Sequence, residues 1–208
     1  MINESIIDLN NRTIALLQQQ DFAQAIQHSS LVLRRHRELY QTSSPRHVSS
    51  GDDCLDTYML LSKIDESRQY ADRTFIYDHG IVIPASADAY SSMVAAILIF
   101  NCALAHQLFA QHTFYNDCSR RHLWKAKLLY ELAHRFCRED LSFLFHFVVL
   151  NNIAMIEAKI GETEVSAQRF EHLLASLMVM VDRGNTERVR HVQGFLANVI
   201  TTDTAPAA

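Results

Sequence analysis

Eleven histidines and four cysteines are the side chains best equipped for chemistry in this 208-residue chain. Cys118, His122, His134 and Cys137 spell C-x3-H-x11-H-x2-C, a set of metal-ligand types. Their spacing works against a shared ion, because 12 helical residues separate His122 from His134 by about 18 Å. His106 and His112 flank a predicted loop and could meet Cys118, but surface or helix-end histidines are the plainer reading. Cys54, Cys102, Cys118 and Cys137 form no C-x-x-C pair and read as reduced thiols. Asp78-His79 offers an acid–base pair, yet neighbours in an extended strand point apart; a turn at Asp78-His79-Gly80 is simpler. No nucleophile elbow, phosphate loop or HExxH helix occurs. No catalytic residue, metal site or cofactor is therefore expected.

Asparagine is the remaining polar candidate. Asn11, Asn101 and Asn152 each lie in an apolar helical stretch, and Asn10 and Asn151 are their neighbours. A side-chain amide donates and accepts at once, so it can bond a backbone at a helix junction or one lying in a groove.

These residues need helices to place them. The chain has 5 glycines and 3 prolines, too few for the tight turns of an all-β fold. Apolar periodicity predicts helices near 3–19, 22–40, 87–110, 119–137, 141–160, 163–183 and 186–200. Asp21 with Gln24 forms a capping-box pattern, Ser119 and Asp140 are possible caps, and Gly161 suits a helix C-terminus. On the second helix Phe22, Ala25, Ile26, Leu31, Val32, Leu33 and Leu39 form the apolar side. Between the first two helices and the rest, residues 41–56 are polar and Ser-rich, as disordered segments are. Ser44-Pro45, and Ser49-Ser50 ahead of Asp52-Asp53, are phosphorylation contexts there. Residues 72–85 differ. Phe75, Ile76, Tyr77, Ile81, Val82 and Ile83 make that segment too apolar to float, so it is expected to dock on the helical body, with its groove as one resting place.

Three stretches align on one another: LNNRTIALLQQQDFAQAIQHSSLVL, IFNCALAHQLFAQ with HLWKAKLLYELA, and VLNNIAMIEAKIGETEVSAQRFEHLL. Each carries its Asn (Asn11, Asn101, Asn152), a small residue two places on (Thr13, Ala103, Ala154), and a small residue early in the second helix (Ala25, Ala126, Ser166). Tyr130 and Phe170 follow four places later; Ser29 stands there in the first stretch. The pattern resembles the tetratricopeptide repeat (TPR), a helix-turn-helix unit of about 34 residues. YDHGIVIP, FNCALAHQL and FEHLLASLMVMVDRG are also similar to a set of TPR-like proteins from microalgae, for which no activity is assigned.

The resemblance covers about 115 residues. It implies an all-α, right-handed solenoid of about three hairpins and a C-terminal capping helix, with a long, partly extended insertion after the first hairpin. The corresponding divisions are 1–40, 41–86, 87–201 and a frayed tail, 202–208. In such units the Asn bonds backbone at the junctions, which makes Asn11 and Asn152 structural positions. Asn10, Asn101, His106 and Asn151 are the groove candidates. The Asn positions are 90 and 51 residues apart, so the array is interrupted. The family's carboxylate clamp needs cations that are missing here, because only Asn101 matches it. A chaperone-tail partner is not expected.

The expected role is a non-enzymatic scaffold that binds a partner's peptide or helix on the surface of its first helices. A helical small-ligand binder or enzyme, and a self-associating structural protein, are the alternatives. Net charge −4 and short basic clusters at 34–37 and 120–122 argue against nucleic acid. The apolar run Met93–Ala105 is too short for a membrane span, and the acidic N-terminus is unlike a secretory signal. Both point to an intracellular, cytoplasmic protein.

Overall fold

The computed structural model describes residues 5–42, 76–89, 91–114, 116–136 and 143–182, together with Phe195 and Asn198. Six helices account for most of them: α1 Ile6–Gln18, α2 Phe22–Thr42, α3 Ser92–His112, α4 Asp117–Phe136, α5 Phe143–Ile160 and α6 Thr163–Asp182. No strand occurs among the described residues. The larger part of the stretch expected to be disordered, Phe75, Asp140, most of the final helix and the tail 202–208 lie outside them.

Local chemistry starts and stops each helix. Ser5 and Asp8 cap α1 reciprocally, with Ser5 Oγ accepting from the Asp8 N–H at 3.1 Å. The α1–α2 link is tight because Gln20 takes the left-handed conformation at φ 60°, and Asp21 then caps α2 by accepting from the Gln24 N–H at 3.1 Å. Helix α2 runs two residues beyond the expected end, and Leu31, counted among its apolar residues, is 52% exposed. Ser91 caps α3, which begins five residues later than expected because Pro84–Ala87 and Asp88–Ser91 form turns ahead of it. Asn116, not Ser119, caps α4: the Ser119 N–H donates to Asn116 Oδ1 at 2.9 Å, and the Asn116 N–H donates to Ser119 Oγ at 3.1 Å. Gly161 ends α5 at φ 93°, with the Glu162 N–H reaching back to the Glu157 carbonyl at 2.9 Å. A Cβ there would meet nothing, so the glycine is required by conformation rather than space.

Packing follows chain order. Each helix lies on the next, and α1 also reaches α3. The result is one apolar core that includes residues of all six helices and of the extended segment. Helix α3 is its centre. The helix is 21 residues long and holds an 18-residue stretch of mean hydropathy 1.9, long and apolar enough to cross a membrane, contrary to the 13-residue estimate, but 89% of that stretch is buried within the fold. The small residues of the repeat pattern are buried too: Thr13 1%, Ala25, Ala103, Ala126 and Ala154 each 0%, and Ser166 2% exposed. Ser166 Oγ donates to the Ala154 carbonyl at 2.9 Å, so α5 and α6 touch at the paired positions of that unit. Tyr130 and Phe170 are buried beside them.

Candidate peptide cleft

Residues 76–84 are extended and lie across α1, α3 and α5. In an extended chain the N–H and C=O of one residue point to the same edge, and alternate residues share it. Asparagines fill that edge. Asn152 of α5 accepts from the Tyr77 N–H at 3.1 Å and donates to its carbonyl at 3.0 Å. Asn101 of α3 does the same at Ile81, at 2.8 and 2.9 Å. Asn11 of α1 does so at Ile83, at 3.3 and 3.2 Å. Asn10 adds a donation to the Ile81 carbonyl at 3.2 Å and accepts from Asn101 Nδ2 at 2.9 Å, which locks the two helices' amides together. Each amide thus acts as one residue's worth of neighbouring strand. The segment runs from α5 towards α1, opposite to the helix order.

Side chains on that register point into the core. Tyr77, Ile81 and Ile83 are at most 1% exposed, and Tyr77 meets Phe100 edge-on at 6.3 Å. Ile76, Asp78 and Val82 remain partly exposed. Gly80 makes no turn. A Cβ on it would stand 2.8 Å from Ile14 Cγ1, so glycine is needed where the backbone presses on α1. Asp78 and His79, expected to point apart, come within 3.5 Å of each other at the surface.

A buried layer supports the amides. Tyr130 of α4 donates to Gln107 Oε1 at 2.8 Å and accepts from Asn152 Nδ2 at 3.1 Å, which sets the rotamer of Asn152. Burial pushes the Tyr130 hydroxyl well above the usual phenol range, so it stays a neutral donor. Beside Ile76 and Asp78 a cavity of about 660 Å³ opens, walled by Gln107 and His112, Leu123, Met155 and Lys159.

The other candidate residues go elsewhere. Asn151 accepts from Asn198 Nδ2 at 2.7 Å and donates to Asn152 Oδ1 at 3.3 Å, tying the C-terminal segment to α5. His106 faces α4, where its Nδ1 lies 2.8 Å from His122 Nδ1. At the far end of α4, His134 Nε2 lies 2.7 Å from His146 Nδ1 of α5. His122 and His134 therefore belong to separate pairs, and no group of three or more His, Cys, Asp or Glu among the described residues is arranged to hold a metal ion. Cys102 is buried and Cys118 exposed, both as free thiols. His112 stacks near Phe22 at 4.6 Å.

A second polar centre escaped the sequence reading. Glu157 of α5 is fully buried and takes a two-pronged bond from Arg169 of α6, 2.8 Å at each nitrogen, with Lys127 of α4 at 3.2 Å. Burial disfavours the Lys127 charge, but its bonds to Glu162 and Glu157 outweigh this and raise its pKa. The signal was present: Glu157 is the only acid within the apolar α5 stretch, and a buried carboxylate demands partners.

Fold and site together define an all-helical protein with an asparagine-lined cleft, filled by an extended segment of the same chain. No protein-family model matches the sequence, and no similar curated protein or solved structure was found.

Proposed function

We propose that the protein is a non-enzymatic interaction scaffold of the TPR-like kind, whose cleft receives an extended peptide by its main chain. One observation carries this reading: asparagines from three helices bond both backbone groups of Tyr77, Ile81 and Ile83, three residues on one edge of a single extended segment. Main-chain recognition needs no particular side chain at those bonds, so a different strand of the same geometry satisfies them equally. In this reading the hairpins α1–α2, α3–α4 and α5–α6 stack as a right-handed solenoid capped by the C-terminal helix. The sequential packing and the buried small residues support that arrangement. The partner is a protein or peptide.

A displayed peptide library tests the reading on the full chain carrying Gly80→Val, which loosens the resident segment and leaves every asparagine intact. Selected peptides should lose binding when Asn101→Ala is added. No enrichment, or binding indifferent to Asn101, contradicts the proposal.

Self-association is a second reading, favoured by the outer face of α4. Leu128, Leu132 and Phe136 recur every fourth residue there and are 60%, 40% and 42% exposed. Light scattering decides it: a dimer that Leu128→Glu dissociates supports it, and a monomer at all concentrations excludes it.

A further inference from the structure

We infer that the resident segment is a displaceable pseudo-ligand, and that the partner which replaces it carries the same pattern: aromatic-x-x-Gly-Φ-x-Φ, with Φ a β-branched apolar residue. The inference rests on the peptide-cleft reading above and specifies its ligand. Every bond that the asparagines make to the segment goes to backbone, so the amides set position and direction but not sequence. Selectivity must come from the side chains that enter the core. Those are Tyr77, Ile81 and Ile83, each at most 1% exposed. Gly80 adds an exclusion, since any Cβ at that place runs into Ile14. Asp78 and Val82 are partly exposed, so the pattern specifies no residue type at their positions.

Neutral amides also suit an exchangeable occupant. When the segment leaves, no bare charge stays behind in the cleft, and water or a second strand can satisfy the same groups. A tethered occupant competes at an effective concentration on the order of millimolar. The unmodified chain therefore presents a filled cleft to free peptide.

The probe is a fluorescein-labelled peptide of residues 75–85, Phe-Ile-Tyr-Asp-His-Gly-Ile-Val-Ile-Pro-Ala. It should bind the full-length Gly80→Val chain about ten-fold tighter than the unmodified chain. The same peptide with valine in place of its glycine should bind that variant about ten-fold more weakly than its parent. Should Gly80→Val lose its helical circular dichroism, Ile83→Ser, which removes one anchor at the segment's end, takes its place. Equal binding to modified and unmodified chains overturns the pseudo-ligand, and indifference to the glycine overturns the pattern. If library peptides bind through Asn101 while this peptide does not, the inference falls and the cleft reading stands. If neither binds, both fall.

Discussion

Two buried polar centres lie on α5, one turn and a half apart, and they are built on opposite principles. Asn152 belongs to a row of neutral amides that hold a segment by hydrogen bonds alone. Glu157 belongs to an ionic cluster that joins α4, α5 and α6. A neutral bond exchanged for one to water changes free energy by about 0.5–1.5 kcal/mol. A buried carboxylate stripped of its cations is far worse off. The first centre suits a contact that opens; the second suits one that stays shut. On the proposed reading, the molecule keeps a fixed joint and an exchangeable joint on one helix, on different residues.

The largest effect should come from breaking the fixed joint. Glu157→Ala is expected to destabilise the chain by about 3–5 kcal/mol in a denaturant melt, towards the lower end because Lys127 and Arg169 reach solvent. A loss under about 1 kcal/mol would mean that the cluster is no stronger than a surface ion pair.

Breaking the exchangeable joint should cost less and act locally. Asn101→Ala removes both bonds to Ile81 and the bridge to Asn10, at about 2–4 kcal/mol for the buried groups left behind. Proteolysis near residue 80 should speed up while helical circular dichroism is kept. Global unfolding instead would erase the contrast between the centres.

Tyr130→Phe sharpens the comparison by taking away only the hydroxyl that steadies Asn152. A cost of about 1 kcal/mol is expected, with faster exchange of the Tyr77 amide and none at Ile83. An effect spread evenly over both would show that the amides act as one block.

The last effect is set by pH rather than by a lost contact, and concerns the histidine pairs at either end of α4. Burial, with the neighbouring His122 and Lys125 charges, holds His106 down to about 4, and burial with His134 and His172 does the same for His146. These pKa values lie below the unfolded 6.5, so the unfolded chain takes up protons first as pH falls. Stability should be full above 6.5 and should decline towards pH 4. The loss is on the order of 1 kcal/mol per histidine, discounted for the rings' remaining exposure. Melts across that range should flatten in His106→Asn/His146→Asn; an unchanged slope would assign the loss to other groups.

The repeat pattern in the sequence located Asn11, Asn101 and Asn152, because an apolar helix makes a lone asparagine conspicuous. Apolar composition, separately, implies that the 72–85 segment docks; of its six large apolar groups Tyr77, Ile81 and Ile83 are buried, Ile76 and Val82 are partly exposed, and Phe75 lies outside the described residues. The groove was one expected resting place for that segment, but nothing in the sequence said which asparagine would bond which residue. Asn10, Asn11 and Asn152 lie 71, 72 and 75 residues from the backbone they bond and Asn101 lies 20 away, and no local periodicity encodes such pairings. Gly80 was misread for a related reason. Beside Asp78 and His79 a glycine looks like a turn, and only the position of Ile14 shows that it serves close approach. Asn151 was expected in the groove and Asn11 and Asn152 at structural junctions, but Asn152 and Asn11 hold the segment while Asn151 bonds Asn198. Adjacent helical residues differ by about 100° in direction, and the sequence pattern did not show which of the two directions the segment takes. The histidine pairs and the Glu157 cluster join separate helices, so spacing within one helix was silent on them.

The central claim is that amides from three helices hold the backbone of residues 76–84. Residue-resolved hydrogen exchange by NMR tests it most directly. Tyr77, Ile81 and Ile83 should exchange about a hundred-fold more slowly than unstructured amides, and Asn101→Ala should release Ile81 first. Unprotected rates at all three, or an Ile81 amide indifferent to Asn101, would contradict the account.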